Sequence, residues 1–199
     1  MKKIELEIIA LSHSLAQTQS YSVVLGEVNG LRRLPIQIGG FEAQAIAVAI
    51  EHMNPSRPLT HDLMKNFMMA FNVGLHEIVI NDFQEGVFYA RLICGTESDT
   101  VEIDSRTSDA IALAVRFGCK IYTYENILAQ TGVMMDDDLN PREQQRMNKP
   151  TSDVFSDGSE NLKNMRLEDL NNLLQEVLEN EDYIRAIAIR DEIKSRGGN

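Results

Sequence analysis

The sequence predicts an α+β fold: a mixed or antiparallel sheet with packed helices, followed by a C-terminal helical hairpin. Three observations lead to this prediction. Runs of alternating apolar and polar residues, typical of half-buried strands, recur through the first 130 residues. Alanine-rich and amphipathic runs between them have the composition and spacing of helices. The last segment, 165–199, repeats leucine and isoleucine at helical spacing.

Three strand-like runs begin the chain: KIELEIIAL, SYSVVLGEV and LRRLPIQI. Asn29 and Gly30, between the second and third runs, form a strong hairpin signal. Pro35 lies inside the third run and has no N–H to donate to a neighbour. We therefore expect this strand to lie at a sheet edge where the proline stands.

Two helices are expected next. FEAQAIAVAIEHM follows two glycines, and its alanines allow a close approach to a neighbouring element. A second helix, LMKNFMMAFNV, is expected to have Thr60 as its N-cap. Gly74 is well placed as the residue that ends this helix.

The remaining residues up to about 132 are expected to form further strands and helices. HEIVIND, VFYARLIC and TVEID are expected to be strands, the first two joined through residues 83–86. SDAIALAVRF is expected to be a helix capped by Ser105 or Thr107 and ended by Gly118. KIYTY is expected to be a strand, and ENILAQTG a short helix closed by Gly132.

Composition divides the chain into three parts. Residues 1–132 form the expected folded domain. Residues 133–164 are polar and lack periodicity, which indicates a flexible linker. Residues 165–199 form the expected hairpin, which is too small to bury much surface alone. We expect it to pair with another copy of itself or with a partner.

Charge limits the classes of function. The formal net charge is −11, and residues 1–130 carry 10 Lys and Arg against 15 Asp and Glu. A nucleic-acid role must therefore rest on a local basic patch or on metal bridging. No apolar run approaches the length of a membrane span, and glutamates early in MKKIELEIIALSHS favour a strand over a signal peptide. We expect a cytoplasmic protein in which Cys94 and Cys119 are buried free thiols.

Two short stretches carry the polar residues of interest. In NPSRPLTHDL (54–63), a helix entrance accounts for the prolines, the threonine and Asp62, and it leaves Arg57 and His61 unexplained. In IDSRTSDAIALAVR (103–116), Asp104 and Arg106 flank a turn from strand to helix. Carboxylates in such places hold metals in nucleases and also serve as plain helix caps, and both interpretations stay open.

These two stretches, with LPIQIGGFEAQAIA (34–47) and FYARL (88–92), resemble the bifunctional nuclease domain over about residues 1–130. The tail ENEDYIRAIAIRDEIKSR resembles a UVR motif, a helical hairpin of excision-repair nuclease subunits. The resemblance implies an α+β fold, a homo-oligomer, and cleavage of RNA and DNA. Thr107 stands where the family often has proline, which should loosen that turn. The family's hallmark polar positions correspond to Glu42, Arg57, His61, Asp62, Asp104, Arg106, Ser108 and Asp109.

Two functions follow from this resemblance and these residues. The first is a nuclease in which His61 is the general base and Arg57 and Arg106 hold the phosphate. Mg²⁺ or Mn²⁺ would bind carboxylate oxygens. Asp62 and Asp109 are expected to be catalytic residues as well as metal ligands. The expected metal ligands are Glu42, Asp62, Asp104 and Asp109. The alternative is a non-enzymatic oligomeric regulatory protein that recruits a protein partner through its UVR hairpin.

Overall fold

The computed structural model describes residues 1–13, 20–96, 98–134, 162, 165–180 and 182–197. The strands in these residues are β1 (Lys3–His13), β2 (Ser20–Glu27), β3 (Arg32–Gly39), β4 (Gly74–Gln84), β5 (Val87–Gly95), β6 (Thr100–Arg106), β7 (Lys120–Tyr124) and β8 (Val133–Met134). The helices are α1 (Gly40–Ile50), α2 (Thr60–Ala70), α3 (Thr107–Phe117), α4 (Glu125–Thr131), α5 (Leu167–Glu179) and α6 (Tyr183–Gly197).

The strands form one mixed sheet in the order β6-β5-β4-β7-β1-β2-β3-β8. All neighbouring strands run antiparallel except β4 and β7, which are parallel. This confirms the predicted α+β class and the mixed sheet. No helix in the described part of the chain is long and apolar enough to cross a membrane.

Two hairpins fix the register of neighbouring strands. Residues 28–31, around the predicted Asn29-Gly30 turn, join β2 to β3, with Leu25 opposite Leu34. Pro35 pairs with Val24 of β2 on one side, and on the other side the described part of β8 pairs with Arg32 and Arg33 of β3. Among the described residues, Pro35 therefore stands at an open edge, as expected. The β4–β5 turn has positive φ at residues 85 and 86 (50° and 85°), as the tightest hairpin turns require.

The core lies between one face of the sheet and the helices α1 and α3. Side chains of β3 alternate, and Leu34, Ile36 and Ile38 face inward and are buried. Ile46 of α1 and Ile111 of α3 are fully buried in the same apolar cluster. Some of the small alanines of both helices are buried there too, which fits the predicted close approach: Ala43 and Ala47 of α1, and Ala110, Ala112 and Ala114 of α3.

The structure corrects the predicted start of α2. Leu59, not Thr60, is the N-cap, and its backbone N–H donates to the Asp62 carboxylate at 2.9 Å. A carboxylate at the third helical position can satisfy that N–H as well as the helix dipole, so the threonine hydroxyl is not needed there. Asn72 takes the positive φ (57°) after this helix, and Gly74 already begins β4.

The start of α3 also differs from the prediction, while the ends of α3 and α4 agree with it. Arg106 is the N-cap of α3, and the hydroxyls of Ser105 and Thr107 make no cap hydrogen bond. Gly118 is left-handed (φ 67°) and ends α3, as expected. Gly132 follows α4 directly.

The predicted C-terminal helices are confirmed as α5 and α6, and they pack against the end of α1. Ile187 of α6 is fully buried in the main core cluster. A second, smaller apolar cluster lies within the hairpin, and Met53 packs against both clusters. Arg190 Nη2 donates to Glu51 Oε2 at 2.7 Å. The hairpin thus finds an apolar surface on its own chain, where we had expected a second copy or a partner.

The predicted linker lies outside the described residues, apart from its two ends. Val133 and Met134 form β8 against β3. Leu162 is buried in the cluster of the hairpin, and its carbonyl oxygen accepts a hydrogen bond from Arg196.

Candidate functional site

Three helices carry a carboxylate at the same position in their first turn. Glu42, Asp62 and Asp109 are each the third residue of α1, α2 and α3. A negative charge there is favoured, because the unpaired N–H groups of the first turn carry a partial positive charge. Each residue is therefore well explained as a local stabiliser, and the contacts between helices decide what else it does.

Arg106 and His61 join the three helix N-termini. The Arg106 guanidinium donates to Asp109 through Nε (2.7 Å) and Nη2 (3.1 Å), and to Glu42 Oε1 through Nη1 (3.0 Å). His61 Nε2 lies 3.1 Å from Asp109 Oδ1. The sequence-predicted Glu42, His61, Arg106 and Asp109 therefore meet at one point, where the N-termini of α1, α2 and α3 converge.

The guanidinium and the helix N-termini at this junction stabilise its ionised carboxylates. Burial raises the pKa of the Asp109 carboxyl, but hydrogen bonds from Arg106 and His61 lower it by more, so its pKa lies below the ordinary value. At the N-termini of α1 and α3 one guanidinium faces two carboxylates, while each of these helix N-termini adds about +0.5 elementary charge. The helix dipoles thus partly offset the excess of carboxylates.

Asp62 has a different setting from its neighbour His61. Its Oδ1 accepts a 2.6 Å hydrogen bond from Nε of Arg116, whose side chain is only 5% exposed. Arg116 Nη1 also donates to the carbonyl oxygens of Ala45 and Ala112, at 2.9 and 3.0 Å. The other oxygen of Asp62 accepts a hydrogen bond from the backbone N–H of Leu59. Through Arg116, Asp62 therefore links the start of α2 to α3 and to α1.

The remaining predicted residues lie around the junction. Asp104 is exposed on β6, opposite Arg91 in the ladder to β5. Arg57 is exposed in the loop before α2 and makes no hydrogen bond or ion pair with any described residue. Ser108 is buried in the first turn of α3.

Thr107, which stands where the family often has proline, makes a side-chain hydrogen bond at the start of α3. Its side chain is buried, and its Oγ1 donates to the carbonyl oxygen of Phe88 at 2.9 Å. The hydroxyl thus fastens the start of α3 to β5, close to Arg106.

The four predicted metal ligands do not form a cation site in this arrangement. No group of three or more His, Cys, Asp or Glu side chains among the described residues is placed to hold a metal ion. Arginine guanidinium groups already occupy the carboxylates of Glu42, Asp62 and Asp109. The donor set as placed does not fit Mg²⁺ or Mn²⁺, and metal assistance stays a prediction that chelation tests.

Arg116 is the residue of this region that sequence reasoning missed. It closes the stretch IDSRTSDAIALAVR, seven residues after Asp109 and hence on nearly the same side of α3. An arginine on the apolar face of a helix needs a buried acceptor, and this signal could have pointed to a carboxylate on a neighbouring element.

Comparison with known proteins identifies the family of this chain. The model of the bifunctional nuclease domain matches residues 23–136, which include every residue of the junction. Two uncharacterized proteins of Mycobacterium tuberculosis, one from strain CDC 1551 / Oshkosh and one from strain ATCC 25618 / H37Rv, are each 40% identical over 134 residues. The match covers 67% of this chain and 79% of each relative. The chain therefore belongs to the bifunctional nuclease domain family.

Proposed function

We propose that this chain hydrolyses phosphodiester bonds of RNA or DNA at the junction of the three helix N-termini. The observation that carries the proposal is the His61–Asp109 pair beside the exposed guanidinium of Arg106. A carboxylate that orients an imidazole suits proton transfer, and a guanidinium matches the geometry of a phosphate. The name of the matching family, bifunctional nuclease domain, supports the same chemistry.

His61 is the proposed general base. Because an ionised carboxylate only accepts hydrogen bonds, the neutral imidazole carries its proton on Nε2, which faces Asp109. Nδ1 then has a lone pair that can take a proton from water. The resulting hydroxide adds to phosphorus, the bond to the leaving oxygen breaks, and the imidazolium returns the proton to that oxygen.

Arg106 is the proposed phosphate ligand. Three of its five N–H groups are bound to Glu42 and Asp109, so one N–H on each terminal nitrogen is left for a ligand. Its side chain is 68% exposed, so a phosphate can reach these donors. Arg57, exposed four residues before His61, is proposed to supply a second contact when substrate binds.

The test is cleavage of end-labelled single-stranded RNA and DNA by purified His61→Asn and Glu179→Gln variants. His61→Asn should lower the rate by roughly 10²- to 10⁴-fold, the usual worth of a general base. Glu179→Gln, exposed at the end of α5, is the control and should retain activity. Equal activity of wild type and His61→Asn would refute the proposed role and would point to a contaminating nuclease.

Each reaction is repeated with Mg²⁺, with Mn²⁺ and with EDTA. Activity that needs a divalent ion would support the predicted metal assistance, whereas unchanged activity in EDTA would rule it out for this protein. In both cases the dependence on His61 tests the proposed base separately.

A separate observation favours a second function. Leu63, Met64, Phe67 and Phe71 lie along one side of α2 and just after it, and each is between 39% and 65% exposed. The rings of Phe67 and Phe71 are 4.8 Å apart, so they form a continuous apolar stripe. Such a stripe is typical of an interaction surface. On this alternative the chain is a non-enzymatic, oligomeric regulatory protein, and the stripe packs against a second copy.

Sedimentation equilibrium tests the oligomer. Wild type should associate, and Phe67→Ser should shift the protein towards the monomer without lowering the melting temperature, because the removed ring is 63% exposed. A wild-type chain that stays monomeric at high concentration would exclude the proposed self-association.

We further propose that α5 and α6 recruit a protein partner, as their likeness to a UVR motif implies. Leu167 and Leu178 of α5 are exposed (44% and 39%) and offer an apolar contact. A partner recovered in stoichiometric amount with the full chain, and lost from a chain that ends at residue 160, would support this role. Equal recovery with both chains would exclude it.

A further inference from the structure

We propose that Phe41 and Tyr89 are stacking surfaces for nucleobases beside Arg106, so that the site takes single-stranded rather than duplex nucleic acid. This inference rests on the proposed binding of a phosphate at Arg106. It adds the part of the ligand that lies beyond the phosphate, and it names residues that select the kind of substrate.

The Phe41 ring is exposed and stacks on no aromatic ring among the residues that the structure describes. It is 87% exposed on α1, where Ile46 and Val48 are buried and Ile50 is partly buried. A phenylalanine ring left in water forgoes the favourable free energy of burial. Its sequence neighbour Glu42 binds the Arg106 guanidinium, so Phe41 lies on the first turn of α1, the turn that contacts the proposed phosphate ligand.

Tyr89 approaches Arg106 from the sheet. The two residues are direct partners in the ladder between β5 and β6, which places their Cα atoms about 4.5–5.5 Å apart. Tyr89 is 41% exposed and carries the other aromatic ring near this guanidinium. An exposed cation thus has an exposed aromatic residue on α1 and another on β5.

This combination matches the way in which proteins bind single strands. Each stacked base contributes about 1–3 kcal/mol, and every base has a face to offer, so stacking needs no particular sequence. In a duplex those faces are covered by neighbouring base pairs. A chain with a net charge of −11 cannot follow a long phosphate backbone, so stacking must supply much of the affinity.

If base stacking supplies much of the binding free energy and phosphate contacts supply the rest, two properties can be measured. Single strands should bind better than a duplex of the same length. The salt dependence should be shallow, with a slope of log K against log salt of roughly −0.7 for each contacted phosphate, or about −1.4 for contacts at Arg106 and Arg57.

The chain contains no tryptophan, so Phe41→Trp introduces a single indole at the proposed surface, which can be excited at wavelengths that the five tyrosines do not absorb. Oligothymidylate should quench this fluorescence on binding, because a stacked base lies in contact with the indole. An abasic oligomer of the same length and charge should not quench it. Equal fluorescence with both oligomers, at concentrations where each is bound, would overturn the proposal.

Affinity gives the second test, with Phe41→Ala and Leu31→Ala compared in a His61→Asn background so that no substrate is cut. Phe41→Ala should weaken binding of oligothymidylate about 5- to 150-fold, the range that corresponds to one stacked base. It should leave binding of the abasic oligomer unchanged. Leu31, 63% exposed at the other end of β3 from α1, is the control and should have no effect.

The outcomes separate this inference from the proposed function. If Phe41→Ala loses base-dependent binding but the wild-type chain cuts no substrate, the proposed nuclease activity is refuted and the proposed stacking surface is supported. Unchanged binding with a lower association constant in sedimentation would assign Phe41 to a contact between copies and overturn the inference. Unchanged binding and unchanged association would overturn it as well.

Discussion

Replacing Asp62 by alanine tests whether this residue is part of the scaffold or of the chemistry. The substitution removes the carboxylate that faces Arg116, whose side chain is 5% exposed. It also removes the acceptor for the Leu59 backbone N–H at the start of α2. Both losses act on the packing of α2 against α3, so we expect a less stable protein.

The magnitude follows from the burial of the guanidinium. Removing one partner of a buried ion pair costs about 3–5 kcal/mol, because the other charge is left without its counter-ion. Arg116 keeps its bonds to the carbonyl oxygens of Ala45 and Ala112, and Asp62 is 30% exposed, so water can enter. We therefore expect the lower end, about 3 kcal/mol, which is roughly 6–12 °C in melting temperature for a chain of this size.

Thermal unfolding followed by circular dichroism measures this shift, with Asp104→Ala as the control. Asp104 is exposed, and its substitution should change the free energy of unfolding by less than about 0.5 kcal/mol. A melting temperature of Asp62→Ala within about 2 °C of wild type, equal to the control, would show that Arg116 does not depend on Asp62. Asp62 would then return to the candidates for a direct role in catalysis.

Three further predictions concern other parts of the molecule. Burial raises the pKa of the Cys119 thiol to about 11, against 9.0 in the unfolded chain. The contribution of this thiol to the free energy of unfolding is therefore complete below pH 9 and is lost between pH 9 and 11. Alkylation of Cys119 at pH 9 should accordingly be slow in the native protein and fast in urea. Gly118→Ala places a side chain at φ 67° and should lower the free energy of unfolding by about 1 kcal/mol in urea titrations. Arg190→Ala should increase proteolysis at α6, because it breaks the ion pair with Glu51. It should not change oligonucleotide binding, because Glu51 follows the C-terminal end of α1 and the junction lies at the other end of that helix. Equal proteolysis of variant and wild type would refute the role of Arg190 in anchoring α6.

Much of the fold could be predicted because its signals are local. The alternation of Leu34, Ile36 and Ile38, the edge signal of Pro35 and the left-handed end at Gly118 each depend on a few consecutive residues. The errors arose where a side chain's partner could not be known in advance. Thr60 has the composition of an N-cap, but the Asp62 carboxylate, which also binds Arg116, satisfies the Leu59 N–H.

The candidate site could be predicted as a set of residues but not as an arrangement. Glu42, His61 and Asp109 lie on three separate helices, and only the packing of those helices shows that they meet at Arg106. Asp62 is adjacent to His61 in sequence, yet it faces Arg116 instead. Neighbouring residues of a helix point in directions about 100° apart, so one motif can contribute one residue to a site and another to the scaffold.

The central claim is that His61, oriented by Asp109, activates the attacking water beside Arg106. Single-turnover cleavage of a single-stranded oligonucleotide across pH, by wild type and His61→Asn of equal melting temperature, tests it most directly. A general base on this chain predicts a wild-type rate that falls towards acid, and a His61→Asn variant that is slower by roughly 10²- to 10⁴-fold and no longer shows this fall. Wild type and His61→Asn with the same rate and the same pH profile would contradict it.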